Sequence, residues 1–111
     1  MIEACREKGL LAFSNMQPQA ALAPDTVVTG PVWDMWPTVR EAIGRVRGGR
    51  WIAQDFAEWT MMRKGGASLA PYHDFEKKLS SEILQMVAEK QREILEGRFT
   101  VPVDEQIPVS D

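Results

Sequence analysis

The sequence predicts an α/β fold, in which a partly parallel sheet lies between helices as one of three layers. Short apolar or β-branched runs alternate along the chain with two amphipathic helices, an order that is typical of α/β proteins. The predicted strands are few and short, and two helices give little cover for a parallel sheet, which is normally buried on both faces. The 111 residues therefore predict one small domain that is part of a larger sheet.

The first third of the chain predicts one short helix and two strands. Residues 1–8 are expected to form a helix that a glycine ends. The apolar run at residues 10–13 and the β-branched run at residues 26–29 predict two strands, which a loop joins. Gly30 is expected to bend or end the second strand, and residues 32–34 extend it if it only bends.

Two amphipathic helices form the predicted outer layers. The first begins near Pro37, because proline has no N–H and none is needed in a first helical turn, and a pair of glycines ends it. Its apolar residues recur at helical spacing and share one face: Val39, Ala42, Ile43 and Val46. The second helix covers residues 81–96 and ends at Gly97.

The remaining segments complete the predicted domain, which covers residues 1–103. Residues 51–60 alternate loosely between polar and apolar and are expected to be extended. Residues 67–70 predict another short strand, which a proline follows. Residues 104–111 are acidic and contain a proline, so they are expected to form an extended or disordered tail.

Composition narrows the possible functions. The chain has 13 Lys and Arg against 16 Asp and Glu and a formal charge of −3, so we expect no nucleic acid partner. Its single cysteine, Cys5, permits neither a disulfide framework nor a multi-cysteine zinc site. His73 and Asp74 are the only neighbouring histidine and carboxylate, and adjacent residues seldom point at one reaction centre. We therefore expect no enzyme, no metal and no cofactor.

A cluster of aromatic residues lies where a predicted strand meets the first amphipathic helix. Ligands of open α/β sheets bind at such junctions, outside the carboxyl ends of strands. Trp33 and Trp36 could stack on a planar ring, and the Asp34 carboxylate could accept hydrogen bonds from two hydroxyl groups. The alternatives are that the tryptophans cap the core and that Asp34 caps the helix.

Five segments, in order along the chain, resemble the basic membrane protein (BMP) family of substrate-binding lipoproteins. Residues 9–15, GLLAFSN, are similar to the family's strand GvyAiG, and residues 28–37 are similar to its next strand and helix start. Residues 47–51, RGGRW, resemble its motif av.dGtW. Residues 61–71, MMRKGGASLAP, resemble GlkdGvvdLAPf, and residues 93–99, EILEGRF, resemble aIkdGtF.

The resemblance is to the C-terminal third of such a receptor and covers most of the chain. It implies the C-terminal lobe and hinge portion of a type I periplasmic-binding-protein fold, in which two α/β lobes hold the ligand in a cleft. It implies a receptor that delivers a small polar ring-bearing ligand, such as a purine nucleoside, to the permease of an ABC importer. The full-length protein would then be periplasmic or a membrane-anchored lipoprotein.

The resemblance also implies which residues contact the ligand. Ser14 lines up with the family's strand-end glycine, whose backbone approaches the ligand, and Asp34 lines up with an acidic residue associated with ribose hydroxyls. Arg63 takes the place of a family lysine and keeps the positive charge on a planar group. Asn15 and Trp33 are added because of their positions beside these residues.

Two functions of other classes fit the same sequence. One is a ligand-sensing regulatory domain on the same fold, and the other is a small α/β module for dimerisation. If the chain is one part of a larger lobe, apolar surface that meets the rest of that lobe should be exposed. We therefore expect the isolated chain to self-associate.

Overall fold

The computed structural model describes residues 1–102 and Gln106. The predicted tail at residues 104–111 lies outside the described residues, apart from Gln106. Four helices, α1 to α4, and two strands, β1 and β2, make up the regular structure of the described part. They follow one another as α1 (Ile2–Glu7), β1 (Pro31–Trp33), α2 (Trp36–Arg47), β2 (Ala67–Leu69), α3 (Phe75–Lys78) and α4 (Ser81–Leu95).

The two amphipathic helices confirm the helical periodicity of the sequence. Helix α2 has Pro37 in its first turn, and Gly48 follows its last residue. Helix α4 starts after Ser80, whose Oγ accepts a hydrogen bond from the backbone N–H of Ile83 at 3.3 Å. A serine in this position gives one of the unpaired amides of the first turn a partner, which is why the helix begins there.

The sheet is small and mixed. Strand β1 pairs with β2 in the antiparallel sense, with Val32 opposite Ser68. On the other side, Ala12 forms an isolated parallel bridge with Val27: the Ala12 N–H donates to the Thr26 carbonyl at 2.9 Å. Residues 26–33 are therefore the central segment, between residues 10–14 on one side and β2 on the other.

The predicted three-layer parallel sheet is not found in the part of the chain that the structure describes. The predicted strands at residues 10–13 and 26–29 are reduced to the single bridge at Ala12, and β1 covers the predicted extension at residues 32–34 only as far as Trp33. The physical reason is that a parallel strand needs partners and helical cover on both faces, and four short segments do not supply them.

The segment at residues 51–60 differs from its predicted extended form. Its second half is a 3₁₀ turn at Ala57–Thr60, and a further 3₁₀ turn follows at Met62–Lys64. The Asp55 Oδ1 accepts a hydrogen bond from the Ala57 N–H at 2.7 Å, which starts the first turn locally. This side-chain to backbone bond competes with strand pairing, so the loose alternation of the sequence misled the prediction.

The core is small and lies between residues 12–29 and the loop before α4. Its buried apolar residues are Ala12, Ala23, Val27, Val28, Ala70 and Phe75. Three hydroxyl residues are buried with them: Ser14, Thr26 and Thr29. Thr29 links two segments of the core, because its Oγ1 donates to the Ala70 carbonyl at 2.7 Å. Within residues 1–102, no helix is both long and apolar enough to cross a membrane.

Candidate functional site

The candidate site lies at the end of the segment that carries Ser14. The Ser14 N–H donates to the Thr29 carbonyl at 2.8 Å, and the Ser14 Oγ approaches the same oxygen at 3.4 Å. A Cβ added to Gly30 would lie 2.2 Å from the Ser14 Oγ and 2.3 Å from the Ser14 carbonyl oxygen. Ser14 is therefore packed against Gly30, and its hydroxyl is buried. Its main-chain bond to Thr29 fixes the start of the turn that follows.

Asn15 and Met16 form the exposed turn that follows. The Asn15 N–H is 3.4 Å from the Gln19 Oε1, and Met16 has a φ of 69°, a left-handed conformation that is uncommon for a residue with a side chain. The Trp33 N–H donates to the Met16 carbonyl at 2.9 Å, which holds the turn against β1. Met16 was not among the predicted site residues, because nothing in its sequence context indicates a left-handed backbone. Backbone strain of this kind is found at binding sites more often than elsewhere.

A depression of about 390 Å³ lies beside this turn. It is lined by Asn15 and Gln19, which are polar, and by apolar residues of α1 and the following segments: Met1, Ile2, Phe13 and Leu22, with Glu3 at its side. Apolar side chains, two side-chain amides and one carboxylate therefore face this open depression.

Trp33 and Asp34 carry the junction from β1 into α2. The Trp33 side chain is 55% exposed, so its ring is available to stack on a ligand. The Asp34 N–H donates to the Gly66 carbonyl at 2.9 Å, and its Oδ1 accepts a hydrogen bond from the Trp36 N–H at 2.8 Å. One carboxylate oxygen thus closes a side-chain turn onto the first residue of α2, and the other has no partner within the described residues. The alternative that Asp34 caps the helix is wrong, because Met35 occupies the N-cap position and its side chain makes no capping bond.

Arg63 lies apart from the other four predicted site residues. It belongs to the 3₁₀ turn at Met62–Lys64, and a Cβ added to Gly97 would lie 2.8 Å from its Nη1. Its guanidinium therefore packs at the carbonyl end of α4, where the helix dipole favours a positive charge.

Main-chain hydrogen bonds hold Ser14 to Thr29 and Trp33 to Met16, so Ser14, Asn15 and Trp33 are close along the backbone, and Asp34 follows Trp33. The depression beside the turn is lined by Asn15 and not by the other predicted site residues.

A second, more polar depression of about 280 Å³ lies between α2 and the 3₁₀ turns. Its lining includes Trp59, whose Nε1 is buried without a hydrogen-bond partner in the described part of the chain. The Lys64 Nζ lies 4.4 Å from the centroid of the Trp59 ring, and the Glu41 Oε1 is paired with the Arg45 Nε at 2.6 Å. The lining carries two cations, Arg40 and Lys64, and one carboxylate, Glu41, which is already paired with Arg45, so this depression is net positive.

His73 and Cys5 lie in different parts of the fold. His73 is exposed with a φ of 49°, and it lines a depression of about 400 Å³ with prolines and alanines of the loop at residues 18–24. Cys5 is half-buried on α1. Within residues 1–102 and Gln106, no three His, Cys, Asp or Glu side chains are grouped so that they could hold a metal ion.

The pKa shifts of the chain lie away from the candidate site. The Lys78 ammonium donates a hydrogen bond to Asp25 at 2.8 Å and lowers the pKa of that carboxyl. On α4, the hydrogen bond from Lys90 lowers the pKa of Glu93. Both carboxyl groups are surface partners of lysines, so they report on local ion pairs and not on a binding pocket.

Comparison with known proteins supports the predicted resemblance. The chain is 25% identical over 108 residues to a purine-binding protein of Brucella abortus (strain 2308), a match that covers 95% of this chain and 29% of that relative. A solved structure from Aeropyrum pernix K1, described as an ABC transporter system solute-binding protein, matches 93% of this chain with a TM-score of 0.60 and 16% identity. No protein-family model matches the chain.

These matches establish a resemblance to part of a solute-binding protein and set its extent. The predicted resemblance is confirmed by the sequence of one relative and the fold of the other. The chain spans 29% of the length of the curated relative and 36% of the solved chain, which is about a third in each case. The likeness to the solved structure shows that this mixed α/β arrangement occurs within the solute-binding fold.

Proposed function

We propose that this chain is the C-terminal lobe and hinge portion of a solute-binding receptor of the BMP kind, which binds a purine nucleoside for an ABC importer. The observation that carries the proposal is the match to a purine-binding protein over 95% of the chain. The receptor acts by binding and release and performs no chemistry on the ligand. In its full-length form it would be periplasmic or anchored to the membrane as a lipoprotein, and its partner would be the importer's permease.

The geometry of the junction supports a planar ligand that carries hydroxyl groups. The exposed Trp33 ring offers one apolar face, against which a purine base can stack. The carboxylate oxygen of Asp34 that does not hold α2 can accept hydrogen bonds from ribose hydroxyls. The Asn15 side chain, at the edge of the depression beside the strained turn, can pair with polar atoms of the base.

The other two residues take different parts in the proposed site. Ser14 sets the position of the turn through its bond to Thr29, so it contributes through the backbone and not through its buried hydroxyl. Arg63 reaches the ligand only after its guanidinium leaves Gly97, and its role in binding stays a prediction. A site on one edge of one lobe is half of a cleft, and the other half would come from the part of the receptor that the relatives have in addition.

The proposal is tested by a thermal-shift and calorimetric screen of the chain against purine nucleosides, free purine bases, cytidine and simple sugars. A ligand that binds only the folded chain adds about 2.7 kcal/mol of stability at a hundred times its dissociation constant. We expect the purine compounds to raise the melting temperature and the sugars to leave it unchanged. A shift with sugars and none with purines would contradict the purine assignment.

Two variants locate the ligand on the surface. Asp34→Asn removes the charge but keeps an oxygen for the Trp36 N–H, so the fold is expected to persist while nucleoside affinity falls about tenfold or more. Asp55→Asn is the matched control, because the Asp55 Oδ1 bonds to the N–H two residues on in the same way. Equal affinity loss in both variants would remove Asp34 from the site.

A further inference from the structure

The depression between α2 and the 3₁₀ turns carries positive charge that its own carboxylate does not neutralise. Arg40 and Lys64 line it, and neither has a carboxylate partner among the described residues. Glu41 also lines it and is already paired with the Arg45 Nε at 2.6 Å. Because the chain as a whole has a formal charge of −3, the positive charge is a local feature and not the result of a basic composition. A concave surface of one charge sign attracts ligands of the opposite sign.

Helix α2 supplies one wall of the depression. Pro37, Arg40 and Glu41 are three and four residues apart, so they share one face of the helix. The turn that carries Lys64 packs against the same face, because a Cβ added to Gly65 would lie 3.7 Å from the Pro37 Cγ. This contact brings the two cations, which are far apart in the sequence, to one depression.

The two 3₁₀ turns supply the other wall, and their backbones are in close contact. The N–H groups of Lys64 and Gly66 both donate to the Met61 carbonyl, at 3.1 and 3.0 Å. A Cβ added to Gly66 would lie 2.1 Å from the Trp59 carbonyl oxygen, so the first turn packs directly on Gly66. The Lys64 Nζ lies 4.4 Å from the centroid of the Trp59 ring, which attracts the ammonium group. Contacts within the chain therefore set the position of this cation.

The polar groups of the lining are mainly hydrogen-bond donors. The Arg40 guanidinium and the Lys64 ammonium can only donate, and the Trp59 indole adds a buried N–H and no acceptor. The acceptors of the lining side chains belong to Glu41, which the Arg45 guanidinium already binds. A group with several acceptor oxygens and a negative charge matches this set better than a neutral group does.

We propose that this depression binds an oxyanion such as phosphate through the side chains of Arg40 and Lys64. The planar guanidinium presents paired N–H donors to two oxygens of such a group, and the ammonium binds as a point charge. The depression also lies beside the first turns of α2, where the helix dipole favours a negative charge. A free oxyanion and the phosphate of a purine nucleotide present the same oxygens, so the same two side chains recognise both.

Both walls of the depression, and the contacts that join them, lie within residues 37–66. Its charge is therefore set by this chain and does not depend on what precedes or follows it in a longer protein. The uncharged nucleoside of the proposed function offers no oxyanion to this depression, so the two proposals stand or fall separately.

The test is an NMR titration of the chain with inorganic phosphate, at an ionic strength that chloride holds constant. The Trp59 indole N–H should show a saturable shift, because the Lys64 ammonium beside its ring moves when it binds the anion. Arg40→Gln and Lys64→Gln should each raise the dissociation constant for phosphate about tenfold, the loss expected for one charge-assisted hydrogen bond. Arg47→Gln is the matched control, since it removes the same charge from the last turn of α2, outside the lining, and should leave the constant unchanged.

A second titration, with a purine nucleoside monophosphate, identifies the source of the oxyanion. If the nucleotide binds more tightly than phosphate, and Arg40→Gln removes the gain, the oxyanion is part of the receptor's ligand; equal constants indicate a free oxyanion. Arg40→Lys keeps the charge and should retain more phosphate affinity than Arg40→Gln, and circular dichroism checks that each variant keeps its helices. The proposal is overturned if phosphate produces no saturable shift, or if Arg47→Gln weakens binding as much as Arg40→Gln.

Discussion

Replacing Gly30 by alanine is expected to destabilise the chain, because the added methyl group would clash with the backbone of the neighbouring segment. An ideal Cβ on Gly30 would lie 2.3 Å from the Ser14 carbonyl oxygen and 2.7 Å from the Ser14 carbonyl carbon. Comfortable contacts between such atoms begin at about 3.5 Å, so one segment has to move by roughly 1 Å. Rotation of a side chain cannot relieve this contact, because two of the nearest atoms belong to the backbone.

The cost follows from what that movement breaks. The bond from the Ser14 N–H to the Thr29 carbonyl is 2.8 Å long, and lengthening it by roughly 1 Å takes it outside hydrogen-bonding distance. Overpacking costs about 1–3 kcal/mol and the one lost bond about 1 kcal/mol, so we expect a loss of about 2–4 kcal/mol. With an m-value of about 1–3 kcal/mol per molar urea, the unfolding midpoint falls by about 0.7–4 M.

The assay is urea unfolding followed by tryptophan fluorescence and circular dichroism, with two companion variants. Gly44→Ala is the control, because nothing lies within 4 Å of its added Cβ in the middle of α2; there alanine should stabilise by about 0.5–1 kcal/mol. Ser14→Ala, added to Gly30→Ala, removes the hydroxyl but not the backbone clash and should restore little. Wild-type stability of Gly30→Ala, or full rescue by Ser14→Ala, would refute the close approach of the two backbones.

Three further outcomes are expected. Ser80→Ala should lower the unfolding free energy by about 1 kcal/mol because it removes the cap of α4, whereas Ser81→Ala should change it little; urea unfolding measures both. An NMR titration should find the pKa of the Asp25 carboxyl below its usual value, and the pKa should return toward that value in Lys78→Ala. Because the pKa is lowered in the folded state, the small stabilisation from this ion pair is present at neutral pH and is lost as the pH falls through the lowered pKa. Arg63→Ala should cost about 0.3–1 kcal/mol in urea unfolding, because its cation lies at the carbonyl end of α4. The same variant tests the predicted role of Arg63 in binding: a smaller ligand-induced thermal shift would support that role, and an unchanged shift would remove Arg63 from the site.

The helices were predictable because their signals are local. The apolar spacing in residues 39–46 and the glycines after it fix α2, and the same logic fixes α4. Strands depend on partners that can lie far away in the sequence. The run at residues 10–13 has strand composition, yet it forms one bridge, because only one neighbour is present to pair with it. The sequence predicts that residues 10–13 can form a strand, but not how much of the sheet surrounds them.

In the candidate site, too, local contacts could be predicted from the sequence and contacts between distant segments could not. The bond from the Trp36 N–H to the Asp34 carboxylate spans two residues, so it is a local interaction of the kind that sequence can indicate, although the predicted capping alternative put it one residue out of place. The contact between Arg63 and Gly97 joins two segments that only the folded chain brings together, and no spacing rule reveals it. The left-handed turn at Met16 is likewise fixed by a tertiary bond from Trp33 and not by a glycine or asparagine at that position.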